Sequence, residues 1–97
     1  MATYLMLFRR TPQGIQTIKE APARVEAAKD LCRSLGREVK QFYCLLGRYD
    51  SAFTLEAPND ETAAKFALAI GSRGNVHTET LRAFTEAEYK QLIAGLP

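Results

Sequence analysis

Five side chains stand out for the chemistry they carry. Tyr49 and Asp50 are adjacent in the tetrad Gly47-Arg48-Tyr49-Asp50, while Glu56, His77 and Arg82 fall inside runs patterned as strands. An Asp beside a phenol can accept a proton or orient a polar ligand. The competing explanation is local. Gly and Asp are what a tight turn requires, the carboxylate accepting from nearby backbone N–H groups while the Tyr ring covers a core edge. Turn chemistry favours that structural explanation.

Glu56 shares a strand parity with Ala52 and Thr54, and His77 shares one with Glu79 and Leu81. A carboxylate and an imidazole aimed into one enclosed space can perform acid–base work or ligate a metal. The chain has one histidine and no His-Glu-x-x-His motif, so the ligand set falls short and no metal site is expected. His77 reads better as a half-exposed strand residue bonded to a neighbour. Arg82 follows Thr78 and Thr80 on one parity. That directs its guanidinium either toward an anion in the same cavity or into an ion pair with Glu56, Glu79 or Asp50.

Cys32 and Cys44 are too far apart for a Cys-x-x-Cys pair. Cys44, between Phe42 and Leu46 in a strand, is expected to be desolvated and inert, and no cationic cluster argues for a thiolate at either position. Gly71-Ser72-Arg73-Gly74 looks like a phosphate loop but follows a helix, where the dipole repels anions, so it reads as a C-cap and turn. Neither a Gly-x-Ser-x-Gly elbow nor a dinucleotide fingerprint is present. No cofactor is called for.

The elements that hold these residues follow from periodicity. Thr3 to Arg9 is apolar on both parities in its middle, as in a central strand covered on both faces. Thr11-Pro12 is an N-cap followed by proline, starting a short helical turn with Ile15 and Ile18, and Pro22 restarts the helix. Val25, Ala28, Leu31, Cys32 and Leu35 then form one stripe that Gly36 ends. Glu38 to Leu46 and Ser51 to Ala57 are strands joined as a hairpin by the Gly-Arg-Tyr-Asp tetrad. Pro58-Asn59-Asp60 caps a helix with Ala63, Phe66, Ala67 and Ile70 at i, i+3, i+4 and i+7, and Ala64, Leu68 and Ala69 make it apolar over more than one side. Val76 to Phe84 is a fourth strand. Thr85 and Glu88 form a capping box for a terminal amphipathic helix with Tyr89, Leu92, Ile93 and Leu96 on its stripe.

The order β-α-β-β-α-β plus a terminal helix gives an α+β, ferredoxin-like sheet with helices on one face. The other face should be polar if it meets water, yet the first two strands are apolar on both parities. A homodimer with two sheets packed face to face is therefore expected.

Ninety-seven residues are enough for one domain, spanning 1–97. Thirteen basic residues against eleven acidic give +2, and a pI near 8.7 with one adjacent basic pair, Arg9-Arg10, argues against a nucleic-acid partner. No apolar run approaches a membrane span and the first residues lack a basic leader pattern, so a cytoplasmic protein with no membrane partner is expected.

The tetrad Gly47-Arg48-Tyr49-Asp50, with Gly74-Asn75-Val76 leading into Thr80-Leu81-Arg82-Ala83-Phe84-Thr85, resembles the GYD-domain family, named for Gly-x-Tyr-Asp. Thr11-Pro12-Gln13-Gly14-Ile15, followed by Lys19 and Pro22-Ala23-Arg24, is similar to that family's start. The resemblance covers nearly the whole chain. It implies a dimeric α+β barrel and no particular reaction, because relatives by fold include monooxygenases, haem-handling proteins and ligand sensors. Two functions fit these residues. One is a homodimeric small-molecule binding or assembly module. The other is a cofactor-independent or haem-dependent enzyme of the barrel type, with Tyr49, Asp50, Glu56, His77 and Arg82 as its polar groups.

Overall fold

The computed structural model describes residues 1–97. Strand β1 (Ala2–Arg10) is followed by helix α1 (Pro12–Gln16), a 3-10 turn (Ile18–Glu20), helix α2 (Ala21–Ser34) and strand β2 (Val39–Cys44). Strand β3 (Ser51–Ala57), helix α3 (Asp60–Gly71), strand β4 (Val76–Ala83) and helix α4 (Glu86–Ala94) complete the chain. The strands form one antiparallel sheet in the order β2-β3-β1-β4. This is the ferredoxin-like arrangement, with β1 and β3 central.

Period-two alternation divides the sheet into two faces. Tyr4, Met6 and Phe8 of β1 point to the helices and are buried with Phe53, Leu55 and Ala57 of β3. From the helix layer, Ala28 and Cys32 of α2 and Ala63, Phe66 and Ile70 of α3 close this core. Phe53 is its hub, edge-to-face with Phe8 at 5.1 Å and with Phe42 at 5.4 Å, and stacked on Phe66 at 6.2 Å. Aromatic pairs in such geometry add to what burial alone contributes.

The helix ends follow their local chemistry. Thr11 caps α1 by accepting from the Gly14 N–H, Asn59 caps α3 by accepting from the Thr62 N–H, and Thr85 with Glu88 forms the capping box of α4. α2 ends in a Schellman motif: Gly36 at φ +77° lets its N–H reach the Arg33 carbonyl while the Arg37 N–H reaches Cys32.

Four expectations need correction. β2 stops at Cys44, and Leu46 beyond it is fully exposed. Strict alternation along Glu38 to Leu46 sets Val39 on the face of Tyr43, but a register shift between Val39 and Gln41 puts it on the helix face with Phe42. Cys44 is exposed, because β2 is an edge strand and the helix layer leaves its end uncovered. Finally, Arg82 pairs across from Tyr4 and so lies on the helix side of β4, away from Glu56, His77 and Glu79. Threonines at positions 78 and 80 gave no sign that their parity was the inward one.

Candidate functional site

The face of the sheet away from the helices carries Leu5 and Leu7 of β1, Tyr43 of β2, Ala52 and Thr54 of β3 and Leu81 of β4. Leu81 is 42% and Tyr43 49% exposed. The charged residues of this face stand at its two ends. Glu56 pairs across from Thr3 at one end, and His77 from Arg9 at the other. The stretch of β1 from Thr3 to Arg9 separates these positions by roughly 20 Å of strand. Glu56 and His77 therefore do not meet within one chain.

His77 shares a cleft with Tyr49. Both line an open cleft of about 370 Å³ together with Leu7, Arg9, Arg48 and Glu79. The Tyr49 hydroxyl donates to Glu79 Oε2 at 3.1 Å, and the Arg9 guanidinium lies 5.9 Å from the Tyr49 ring centre. Asp50 turns away from this cleft. Its carboxylate accepts from the Arg10 N–H at 2.7 Å and pairs with the Arg10 guanidinium at 3.6 Å, while its own N–H donates to the Phe8 carbonyl. Asp50 thus extends the β3–β1 pairing one residue past the strand and satisfies a backbone donor. Gly47 at φ +121° makes the turn that brings it there.

Arg82 has none of the partners its parity suggested. It pairs with Glu88 at 3.9 Å and lies 4.2 Å from the Phe84 ring centre, 6.0 Å from that of Tyr4. The Glu88 carboxyl is held below the usual carboxylate range, first by the Thr85 N–H that donates to it. Tyr4 donates to Asp60 Oδ1 at 2.5 Å. That hydrogen bond, then burial, raises the Tyr4 phenol above its ordinary range. Burial raises the Cys32 thiol in the same way, which makes it a packed side chain and not a nucleophile. No group of three or more His, Cys, Asp or Glu side chains is gathered as a metal would require.

A second, larger cleft lies on the helix side, where the first turns of α2 stand off the sheet. It has a volume of about 470 Å³ and is lined by Phe8, Phe42 and Phe53 below and by Arg10, Arg24 and Arg73 around it. Residue patterns did not single out this cleft. The one available signal was the adjacent Arg9-Arg10 pair. Alternation sends Arg9 to the open face and Arg10 to the helix face, so the two residues serve different clefts.

The family model for the GYD domain matches residues 4–93. A Thermus thermophilus protein named as a glutamine synthetase and cystathionine beta-lyase binding protein is 37% identical over 97 residues, covering 99% of each chain. Among solved structures, one from Thermus thermophilus superposes with a TM-score of 0.58 at 26% identity, over 88% of this chain and 95% of that one. A feast or famine regulatory protein of M. tuberculosis, complexed with L-methionine, superposes with a TM-score of 0.66 at 14% identity. The match covers 88% of this chain but only 51% of the regulator, so this chain spans about half its length and the likeness is one of fold. No helix is long and apolar enough to cross a membrane.

Proposed function

From the premise that the chain belongs to the GYD-domain family, we propose that it is a homodimeric binding module that docks on enzymes and carries out no reaction of its own. The observation that carries this reading is the division of labour on its surface. An apolar sheet face lies open, while the five candidate polar side chains are scattered over both faces. Catalysis needs convergent groups within hydrogen-bond reach of one reacting atom.

Two open faces packed about 10 Å apart remove Leu5, Leu7 and Leu81 of both copies from water. A twofold contact of this kind is self-complementary. α4 stays available in such a dimer. The Arg82–Glu88 pair ties its first turn to the helix side, and its stripe of Tyr89, Leu92, Ile93 and Leu96 is at least half exposed. That stripe is the surface for a partner protein. The name of the Thermus relative supplies the partners to try first, glutamine synthetase and cystathionine beta-lyase.

Light scattering of the purified protein should give twice 10.8 kDa, and the double variant Leu5→Glu/Leu81→Glu should give a monomer. A wild-type monomer at micromolar concentration overturns the dimer. Calorimetric titration against the two purified enzymes should show binding to at least one, weakened by Leu92→Ser/Ile93→Ser. Binding to neither overturns the docking function.

A second reading, acid–base catalysis, is favoured by one observation, that His77 lines the smaller cleft together with the hydrogen-bonded Tyr49 and Glu79. Its haem-dependent form does not fit. The side chains that line the cleft beside His77 include Arg9, Arg48 and Glu79, a charged lining where a haem plane needs apolar walls. Turnover of a screened metabolite that is lost in His77→Ala with the fold intact would establish this second reading over the first.

A further inference from the structure

The helix-side cleft belongs to each chain by itself and is not needed for dimerisation or docking. We propose that it binds a small amphipathic organic anion, an aromatic or branched apolar body bearing one carboxylate. Its 470 Å³ lies within the roughly 300–1,000 Å³ of small-molecule sites. Phe8, Phe53 and the partly exposed Phe42 meet edge to face at its base, and Val25 and Ile70 widen the apolar wall. Such a base takes a flat or branched apolar body.

The charges around that base are unbalanced. Lys29 is paired with Glu26 at 3.6 Å and Arg10 with Asp50 at 3.6 Å. Arg24 and Arg73, which also line the cleft, have no carboxylate partner. Arg24 is nonetheless held in place. Its Nη1 donates to the Thr17 carbonyl at 3.1 Å and hydroxyl at 2.9 Å, and its Nη2 donates to the Gly14 carbonyl at 3.1 Å. A guanidinium oriented by three uncharged oxygens beside an apolar base is complementary to a carboxylate, and its ordering cost is met before the ligand arrives. The loop carrying Arg73 is fixed as well. Gln13 donates to the Arg73 carbonyl and to Asn75 Oδ1, and Thr11 donates through its hydroxyl to Gly74 and through its N–H to Asn75.

The test uses the full-length protein and a matched pair of probes, 3-phenylpropanoate and its neutral amide. Calorimetry should show the carboxylate binding at least about tenfold more tightly than the amide, and Arg24→Gln should remove that preference. Because Arg24 also braces α1, Arg73→Gln is measured beside it. Arg73 holds nothing through its side chain, and its loss should weaken the carboxylate by about threefold or more. Location is read from Cys44, which lines the cleft and is exposed while Cys32 is buried. The carboxylate should slow alkylation of Cys44 by iodoacetamide. Equal affinity for acid and amide, an unprotected Cys44, or no binding of either probe at about 10 mM would overturn the proposal. The monomeric Leu5→Glu/Leu81→Glu variant should still bind the carboxylate, so failure here and failure of the dimer are separate results.

Discussion

Tyr4 shows how one side chain links a strand to a helix and makes stability depend on pH. It is buried in β1, yet its hydroxyl reaches Asp60 at the first residue of α3. The hydrogen bond to a carboxylate and the burial both favour the neutral phenol, so the folded state keeps its proton above the ordinary tyrosine value of 10.0. Above that pH the folded state binds more protons than the unfolded chain, and stability must fall as pH rises. Cys32, raised by burial above its ordinary 9.0, acts in the same direction. Both contributions are fully present at neutral pH and are lost on the alkaline side. Urea unfolding midpoints are therefore expected to be level from pH 7 to about 9 and to decline beyond it. Tyr4→Phe should lower neutral stability by about 1–2 kcal/mol and make the alkaline decline shallower. An equally steep decline in Tyr4→Phe would remove Tyr4 as its source. The acidic member of the family signature is likewise structural. Asp50 accepts from the Arg10 N–H of β1, forty residues away, and so ties the end of the tetrad to a central strand; the local turn bond that its residue type suggests is not the one its carboxylate makes.

At the scale of elements, α1 matters more than its five residues suggest, because it joins the first crossover to the α3–β4 loop. Gly14 is buried where a Cβ would lie 2.1 Å from the Asn75 carbonyl oxygen, a backbone atom that cannot swing aside. Gly14→Ala must push α1 off that loop, disturbing the hydrogen bonds of Thr11 and Gln13 and the carbonyl that holds Arg24. A loss of about 1–3 kcal/mol in chemical unfolding is expected, with the usual gain from replacing Gly by Ala reversed by overlap. Unchanged stability would mean the loop yields freely. The strand and helix order, the caps at Thr11, Asn59 and Thr85, and the stripes of α2 and α3 were all legible, since each rests on local spacing. What spacing could not convey was which parity of β4 faces the helices. Thr78, Thr80 and Arg82 on one side and His77, Glu79 and Leu81 on the other are both mixed, and only pairing with Tyr4, Met6 and Phe8 decides between them. The bulge after Val39 escaped for a related reason. One extra residue reverses parity without changing composition. The larger cleft was hidden because it depends on how far α2 stands from the sheet, a distance between elements remote in sequence.

The whole molecule is unevenly covered on its two sheet faces. The helix face has α2 and α3 over it, while the open face has Leu5, Leu7 and Leu81 with no covering layer, and the extents of 51 × 31 × 18 Å describe a thin slab. A slab of this kind gains stability when a second slab covers it, because apolar area leaves water at about 25 cal/mol per Å². If folding and pairing are linked in this way, stability depends on mass action and not on the chain alone. The thermal unfolding midpoint of the wild type should therefore rise as protein concentration is raised a hundredfold. That of Leu5→Glu/Leu81→Glu should be lower and independent of concentration. Both substitutions put a carboxylate into the face that pairing would bury, so the cost of desolvating a charge and the lost apolar burial act together. The control is Leu68→Glu on the solvent side of α3, where the side chain is already 73% exposed. It should leave both the midpoint and its concentration dependence close to wild type. A wild-type midpoint independent of concentration, with light scattering also reporting one chain, would mean that the open face is stable in water unaided and that its leucines await some other partner.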